Sequence, residues 1–448
     1  MGLNSDEIFG IVVLAVALPV YIPAIVWFYK RREIQPIKAR SPFLVLVCDI
    51  VLVAYVVVTC VQRIVGTLYP CYLNLWASFV GTLVLCGTYL IRCWHLYFKY
   101  CLTQEKLSTE ENRNEDNTFF IRYRKYTNVS FLTKILVAVC LLSLIPVAVL
   151  SYVHRKTLSS NGGDDCSKDW GNALLAGYVG AFVLCYLFFG WNLRQVVDAF
   201  QIKEELRYTG VVGILAVIPW FLFNNTYRSI DTDVFPFSSV VIVIAITFAL
   251  FFSTAWPLYR SIFQPLALDD LNVPDDIKSL RGLLSDVDGF KSFKSFLSQE
   301  FSVENILFWH EVEDFRSKKA RNLPPLEMMG EAQVIYSKYI IRGAPFEVNL
   351  PSKIVADLQQ LLKKEYGNLA EEESRDHVNA NDDETSLVGN EDVKVVPTIF
   401  DTAQRNIFLL METDSYHRYC SSPEYKALTK VFTERTRKKE VLLEMQVI

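Results

Sequence analysis

Seven apolar segments in the first 260 residues constrain the fold of this chain more than any other feature. Each is close to the about 20 residues that a helix needs to cross the hydrocarbon core of a bilayer. Charged or strongly polar residues separate neighbouring segments. Because a backbone in lipid must satisfy its own hydrogen bonds, we expect seven transmembrane helices. The segments are residues 8–29, 42–62, 75–98, 131–153, 173–191, 210–227 and 238–259.

The basic residues of the connecting loops indicate the orientation. Lys and Arg are concentrated in the loops after the first, third and fifth segments, beginning with the run Lys30-Arg31-Arg32. Basic loops stay on the cytoplasmic side, so we expect the N-terminus outside and the C-terminal half in the cytosol, at the plasma membrane. The first segment is not typical of a cleavable signal peptide, because Asp6 and Glu7 precede it and no basic residue does.

The cysteine positions predict one disulfide bond. Most of the ten cysteines lie inside the apolar segments, where they act as small apolar residues. Cys71 and Cys166 are the two loop cysteines on the expected outer side, where the redox environment favours disulfides. We therefore predict a Cys71–Cys166 bridge between the mouth of the third segment and the loop after the fourth.

Asp49, Arg92, His95 and Lys134 lie within the predicted spans, and we expect Lys134, near the cytosolic end of the fourth segment, to snorkel to the headgroups. Asp49, in the second segment, would be costly as a carboxylate in lipid. We expect it to face the bundle interior or a polar cavity, either as a contact for a ligand, ion or proton or as a structural hydrogen-bonding group. Arg92 and His95 lie towards the cytosolic end of the third segment, where we expect them to snorkel to the headgroups.

The remainder of the chain has the pattern of a soluble helical bundle. Apolar residues such as Phe290, Phe293 and Leu297 recur at helical spacing, and no strand pattern is evident. Ser302 precedes the next apolar run and is predicted to cap its helix. Further helices are expected at 331–342, 351–366, 398–411 and 423–440. The sequence thus predicts an all-α protein with a membrane domain (1–260), a linker with first helices (261–282), a cytosolic bundle (283–440) and a tail (441–448).

One segment interrupts the amphipathic pattern of the bundle. Residues 367–394 contain nine acidic residues against one Arg and one Lys, with few apolar residues. Such a composition leaves little surface to bury. We expect a solvated acidic loop between two helices.

The sequence excludes several functional classes for this bundle. It contains no Gly-rich phosphate loop and no set of kinase motifs, so we expect no nucleotide hydrolysis or phosphoryl transfer by the chain itself. Cys and His are not spaced as metal ligands, so no cofactor is expected. The net charge of −4 gives no basis for nucleic acid as a partner.

Three blocks of the bundle are similar to a known family. Residues 301–309 (FSVENILFW), 347–350 (EVNL) and 403–418 (AQRNIFLLMETDSYHR) resemble, in order and spacing, the signature of regulator of G-protein signalling (RGS) domains. The resemblance covers about 283–432. With seven apolar segments in front of it, the whole chain resembles the plant seven-transmembrane members of that family.

The resemblance implies a helical domain that docks on the switch regions of an active G-protein α subunit (Gα), in its GTP-bound or transition state. The chain would then be a membrane-anchored GTPase-activating protein with no catalytic residue of its own. Asn305 would lie beside the catalytic glutamine of Gα. An extracellular small molecule, linked to sugar signalling, would be the controlling ligand. The Gα contacts that the resemblance implies are Ser302, Glu304, Asn305, Asn349, Leu410, Asp414, Ser415 and Arg418.

Two other functions remain open on the residues alone. The apolar half could be a transporter or channel whose tail only scaffolds Gα, in which case Asp49 would lie on the transport pathway. Alternatively, the chain could be a sensor whose tail binds Gα without accelerating hydrolysis. Inverted repeats or broken helices, which would favour transport, are not evident.

Overall fold

The computed structural model describes residues 4–112, 119–158, 170–227, 231, 235–263, 278–319, 325–363 and 398–446. These residues form helices and no strand, as the sequence predicts. The acidic segment 367–394 and Cys166 lie outside the described residues. The chain divides into two compact units, Met1–Cys101 with Tyr123–Gln264, and Leu102–Arg122 with Pro265–Ile448.

The first unit is built from long helices joined by short connections. One of them, Cys71–Asn112, contributes to both units, because the second unit begins at Leu102. The helix Phe237–Leu250 continues through a π-helical turn, Phe251–Ala255, into Trp256–Phe263. The main helices are α1 (Ser5–Lys30), α2 (Pro42–Val65), α3 (Cys71–Asn112), α4 (Val129–Val153), α5 (Trp170–Leu193), α6 (Ile202–Phe221) and α7 (Phe237–Leu250).

Six helical segments of the described residues are long and apolar enough to cross a membrane, by length and composition. The predicted segment 210–227 is not one of them. It lies in α6, whose first turns carry Lys203, Glu204 and Glu205, and its apolar end passes into the π-helical turn Leu222–Thr226. The expected set of seven spans is therefore matched at six positions.

The first unit has a small interior and an apolar exterior. Leu52 and Val56 of α2 are buried in a cluster that includes Tyr21 of α1 and Leu250 of α7. Many other large apolar side chains point outwards, among them Leu184, which is 70% exposed. A contiguous apolar exterior of this extent is unusual for a soluble monomer.

Asp49 faces the interior of the first unit, as expected. Its side chain is fully buried and accepts hydrogen bonds from the hydroxyls of Ser253, at 3.2 Å, and Thr254. Both donors lie in the π-helical turn that follows α7. Of the two roles considered for Asp49, these contacts correspond to the structural hydrogen-bonding one.

The expectation that Arg92 and His95 snorkel is wrong. Both are buried: Arg92 pairs with Glu205, and His95 Nδ1 lies 3.1 Å from Ser41 Oγ. Glu205 also accepts a hydrogen bond from Arg40 Nε at 2.8 Å. A buried carboxylate with two guanidinium partners holds the arginine inside, because an unpaired charge there would be far more costly.

Cys71 is disulfide-bonded, whereas the eight other cysteines among the described residues form no disulfide bond. The partner that the sequence predicts for Cys71 is Cys166, which lies outside the described residues. The Cys71–Cys166 pairing therefore stays a prediction.

The second unit contains short helices that begin near the predicted positions. The expected helix 331–342 begins earlier, at Pro325, where proline suits a first helical position, and ends in the π-helical turn Tyr336–Ile340. The expected helix 398–411 extends into the π-helical turn Met411–Tyr416. The main helices are α8 (Leu280–Ser285), α9 (Val287–Gln299), α10 (Glu304–Lys319), α11 (Pro325–Ile335), α12 (352–363), α13 (Asp401–Leu410) and α14 (Pro423–Gln446).

Aromatic side chains fill the core of the second unit. Phe293 of α9 meets Tyr419 edge to face, with ring centroids 5.1 Å apart, and Phe315 of α10 meets Phe400 in the same way at 5.7 Å. All four are at most 1% exposed. This packing holds α9, α10 and the region around α13 together, where the first and third sequence blocks lie.

Candidate functional site

The first sequence block forms the turn between α9 and α10. Asp286 caps the start of α9 by accepting from the backbone N–H groups of Asp288 and Gly289. At the other end Phe301 adopts a left-handed conformation, with φ of 57°, which is unfavourable for a bulky residue. The turn is anchored from inside by Leu297, which is fully buried. Backbone strain of this kind is found where the surrounding packing over-determines a loop.

Ser302 does not cap α10 as predicted. The helix begins at Glu304, and Ser302 contributes only its backbone carbonyl, which accepts from Asn305 N at 3.3 Å. The Ser302 Oγ atom is buried and has no hydrogen-bond partner within the described structure.

The two polar residues at the start of α10 differ in exposure. Asn305 is 8% exposed. Glu304 Oε2 lies 2.9 Å from Lys106 Nζ, and the two side chains are 16% and 10% exposed. Lys106 belongs to the part of α3 that lies in the second unit. The sequence contains no local feature that predicts this pair.

The second block follows the π-helical turn Tyr336–Ile340. The chain doubles back on that turn, because Phe346 N donates to Lys338 O at 3.0 Å and Val348 N donates to Tyr339 O at 2.9 Å. Phe346 and Val348 are buried and anchor the segment. Asn349, the predicted contact, is consequently held at an exposed position.

The third block is organised by Arg418. Its guanidinium donates to both carboxylate oxygens of Glu300, at 2.5 and 3.0 Å, and to Asp414. Its Nη2 also lies 3.4 Å from Ser415 Oγ. Burial raises the pKa of Glu300, while the hydrogen bond and charge of Arg418 act in the opposite direction. The pKa of Arg418 is raised, because burial lowers it less than the pairing with Glu300 and Asp414 raises it.

The structure brings the three blocks together through two side chains that sequence reasoning missed. Glu300, the residue immediately before the first block, binds Arg418 of the third. Lys106 binds Glu304 of the first block and lies over the Phe346 ring at the edge of the second, 5.9 Å from its centroid. Leu410 lies one turn before Asp414. Neither Glu300 nor Lys106 belongs to a motif, so only their contacts identify them.

The first unit contains a cavity of about 190 Å³. Its lining is almost entirely apolar, and Tyr55 and Thr82 are among its few polar side chains. Tyr55 is already hydrogen-bonded to Ser78. Such a lining suits an apolar molecule better than a sugar, whose hydroxyls would lose their hydrogen bonds with water.

The second unit has the features of a helical interaction domain. Glu300 joins the first block to the third, and Lys106 joins the first block to the Phe346 ring beside the second. The described residues contain no cluster of His, Cys, Asp and Glu able to hold a metal. Residues 279–428 match the family described as "Regulator of G protein signaling domain". The chain therefore contains a domain of this family.

Curated relatives agree with this assignment. Regulator of G-protein signaling 5 of Mus musculus is 35% identical over 153 residues, which are 34% of this chain and 66% of the relative. Regulator of G-protein signaling 18 of Mus musculus is 34% identical over 150 residues, 33% of this chain and 48% of the relative. Regulator of G-protein signaling 20 of Homo sapiens is 31% identical over 148 residues, 33% of this chain and 29% of the relative. This chain thus spans less than two thirds of the length of the relatives that it matches.

Proposed function

We propose that this protein is a membrane-anchored activator of GTP hydrolysis by a heterotrimeric G-protein α subunit. The observation that carries the proposal is the convergence of the three blocks in a regulator of G protein signaling domain. The polar residues at Ser302, Asn305 and Asn349 would meet the switch regions of Gα. The chain supplies no catalytic group of its own.

The chemistry requires only that the partner hold Gα in the reactive geometry. Gα carries its arginine finger in cis, so an activator need not add a charged group to the transition state. Contacts that strengthen in the transition state accelerate hydrolysis, and each tenfold gain needs about 1.4 kcal/mol. Side-chain amides such as those of Asn305 and Asn349 suit this role, because they both donate and accept hydrogen bonds without a charge that must be desolvated.

The membrane part of the proposal rests on the first unit. Its six helices of sufficient length and its apolar exterior support anchoring in a bilayer. The basic loops support an extracellular N-terminus and a cytosolic C-terminal unit, as in plant seven-transmembrane members of the family. For an extracellular signal, the apolar cavity favours an apolar small molecule over a sugar.

Single-turnover GTP hydrolysis by Gα, with the full chain reconstituted in nanodiscs, tests the proposal. Glu304→Lys places a charge of the wrong sign at the docking surface, and Asn305→Ala removes a polar contact. We expect each to reduce the acceleration at least tenfold. Glu304→Lys also breaks the ion pair with Lys106, so its fold is checked by helical circular dichroism, whereas Asn305→Ala leaves that pair in place and should keep the circular dichroism of wild type.

Glu327→Lys is the matched control. Glu327 is also an acid in a first turn, that of α11, but it is exposed and lies outside the three blocks. It should leave the acceleration at the wild-type level. Gα binding without acceleration by the wild-type chain would favour the scaffold alternative. The absence of both binding and acceleration would refute the proposal.

A further inference from the structure

The last three turns of α3 belong to the second unit, and one side of them packs against its other helices. The predicted apolar segment ends at residue 98, but the helix continues to Asn112 through a polar sequence. Thr103 and Lys106 are buried, at 4% and 8% exposure, although both are polar. Together with Glu110 they recur at helical spacing and so share one side of the helix. This side is covered by the second unit, to which residues 102–122 belong.

Two ion pairs hold this face in place. Lys106 Nζ lies 2.9 Å from Glu304 Oε2, and Glu110 pairs with Lys294 of α9. The side chains of both pairs are between 10% and 28% exposed, so solvent screens them less than it screens surface pairs. Removing one member leaves a partly desolvated charge without its partner, which costs more than breaking an exposed pair.

The segment after α3 also packs against it. Glu105 Oε2 accepts a hydrogen bond from the backbone of Ile121 at 2.8 Å. The side chain of Ile121 is buried. Both ends of the segment 102–122 are thus attached to the same body as the docking surface.

The position of Lys106 conflicts with the proposed docking of Gα. Glu304 is one of the residues expected to contact the switch regions, yet Lys106 occupies its carboxylate. Asn305, expected to lie beside the catalytic glutamine, is only 8% exposed. A Gα subunit that packs closely on the Glu304 carboxylate would have to compete with Lys106 for it.

We propose that residues 102–110 of α3, which we call the α3 extension, occupy the edge of the Gα-docking surface and must be displaced before Gα binds productively. The proposal rests on the proposed function and adds its regulation. Apparent affinity for Gα then equals the intrinsic affinity multiplied by the fraction of molecules in which the extension has left the surface. Any change that weakens the two ion pairs raises that fraction.

The same helix connects the docking surface to the apolar half. The helix that contains the third candidate membrane span continues to Lys106 without a break. The α3 extension is thus part of a helix whose first residues, up to Cys101, belong to the first unit.

Charge reversal of the outer ion pair tests the proposal without touching a proposed Gα contact. Glu110→Lys and Lys294→Glu each place like charges opposite one another and should weaken the attachment of the extension to α9. The double variant restores the ion pair with its signs exchanged. The full chain in nanodiscs is titrated with Gα loaded with GDP and aluminium fluoride, and single-turnover hydrolysis is measured beside it. Each single variant should bind roughly tenfold more tightly, and the double variant should return towards wild type.

Two matched controls use exposed neighbours on the same helices. Gln104→Lys introduces a lysine on an exposed position of α3, and Lys291→Glu reverses a charge one turn before Lys294 on α9. Neither residue takes part in the two ion pairs. Both should bind Gα with wild-type affinity.

Chemical labelling of the Glu304 carboxylate measures whether the extension covers this side chain, and the measurement needs no Gα. Labelling of the Glu304 side chain should rise several-fold in Glu110→Lys and fall again in the double variant. Unchanged labelling would overturn the proposal even if Gα binding were absent, which separates its failure from that of the proposed function. Weaker Gα binding in both single variants, without recovery in the double variant, would also overturn it, because the extension would then support the domain and not occlude it.

Discussion

The Glu300–Arg418 pair offers a quantitative test of how the docking surface is held together. The Glu300 side chain is 2% exposed and that of Arg418 is 16% exposed. Arg418→Ala would leave the Glu300 carboxylate buried without a cation. Breaking a buried pair from one side costs about 3–5 kcal/mol. Because Arg418 keeps some contact with solvent, we expect the lower end, about 3 kcal/mol.

Hydrogen–deuterium exchange in the full chain measures this loss locally. Residues of α13 and the π-helical turn Met411–Tyr416 should exchange roughly 100- to 200-fold faster in Arg418→Ala, since every 1.4 kcal/mol is about tenfold. Arg435→Ala is the matched control. Arg435 pairs with Asp288, but their side chains are 47% and 43% exposed, so its loss should cost under about 1 kcal/mol.

The loss of stability in Arg418→Ala should depend on pH, and the direction of this dependence can be derived. Burial raises the pKa of Glu300, and loss of the guanidinium raises it further. Between this raised pKa and the ordinary carboxyl value, the folded state binds a proton that the unfolded chain does not bind. The variant therefore gains stability as the pH falls through that window, and its deficit relative to wild type shrinks.

A second substitution removes the buried charge directly. Glu300→Gln in the Arg418→Ala background should recover more than half of the lost protection, because the two residues act as one pair. Strictly additive losses, or a deficit that does not change with pH, would show that Glu300 and Arg418 do not stabilise the turn through their charges.

Three further predictions concern the first unit. Cys71→Ser and Cys166→Ser should lower the amount of folded surface protein to a similar extent, and the double variant should lose little more, since both break one bond; additive losses would exclude the pairing. A thiol or protease probe on intact cells should reach the 154–172 loop but not the 367–394 segment, and cleavage within the latter would reverse the orientation. Asp49→Asn keeps one oxygen that accepts from one of the Ser253 and Thr254 hydroxyls and gains an amide group that can donate to the other, so thermal stability and acceleration of GTP hydrolysis should stay close to wild type; loss of activity with an intact fold would instead indicate an ion or proton contact.

The sequence determines the features of this protein that depend on local pattern. The apolar segments have the length and composition of spanning helices whatever their neighbours are, and six of them are found as such helices. The aromatic residues Phe293, Phe308 and Phe315 recur at helical spacing and are buried as that spacing predicts. The three blocks of the domain can also be recognised from the sequence alone, because each is a contiguous run of residues.

Only the tertiary structure decides which residues that are far apart in the sequence contact one another. Arg92 is placed by its position alone at a membrane interface, but it is buried because Glu205 lies opposite. Ser302 has the composition of a helix cap, but the packing of the turn starts α10 at Glu304 and leaves the Ser302 hydroxyl unpaired. In both cases a long-range contact outweighs a local preference of about 1 kcal/mol.

The α3 extension shows the same limit at the functional site. Hydropathy correctly ends the apolar segment at residue 98, yet it contains no information on whether the polar residues that follow remain helical or what they bind. The partner of Lys106 is Glu304, 198 positions away. Charge and spacing within a segment predict which face is polar, whereas the carboxylate that a given lysine meets depends on how the intervening chain folds. The proposed docking residues could therefore be named from the sequence, but the contact of α3 with one of them, Glu304, is a property of the tertiary structure.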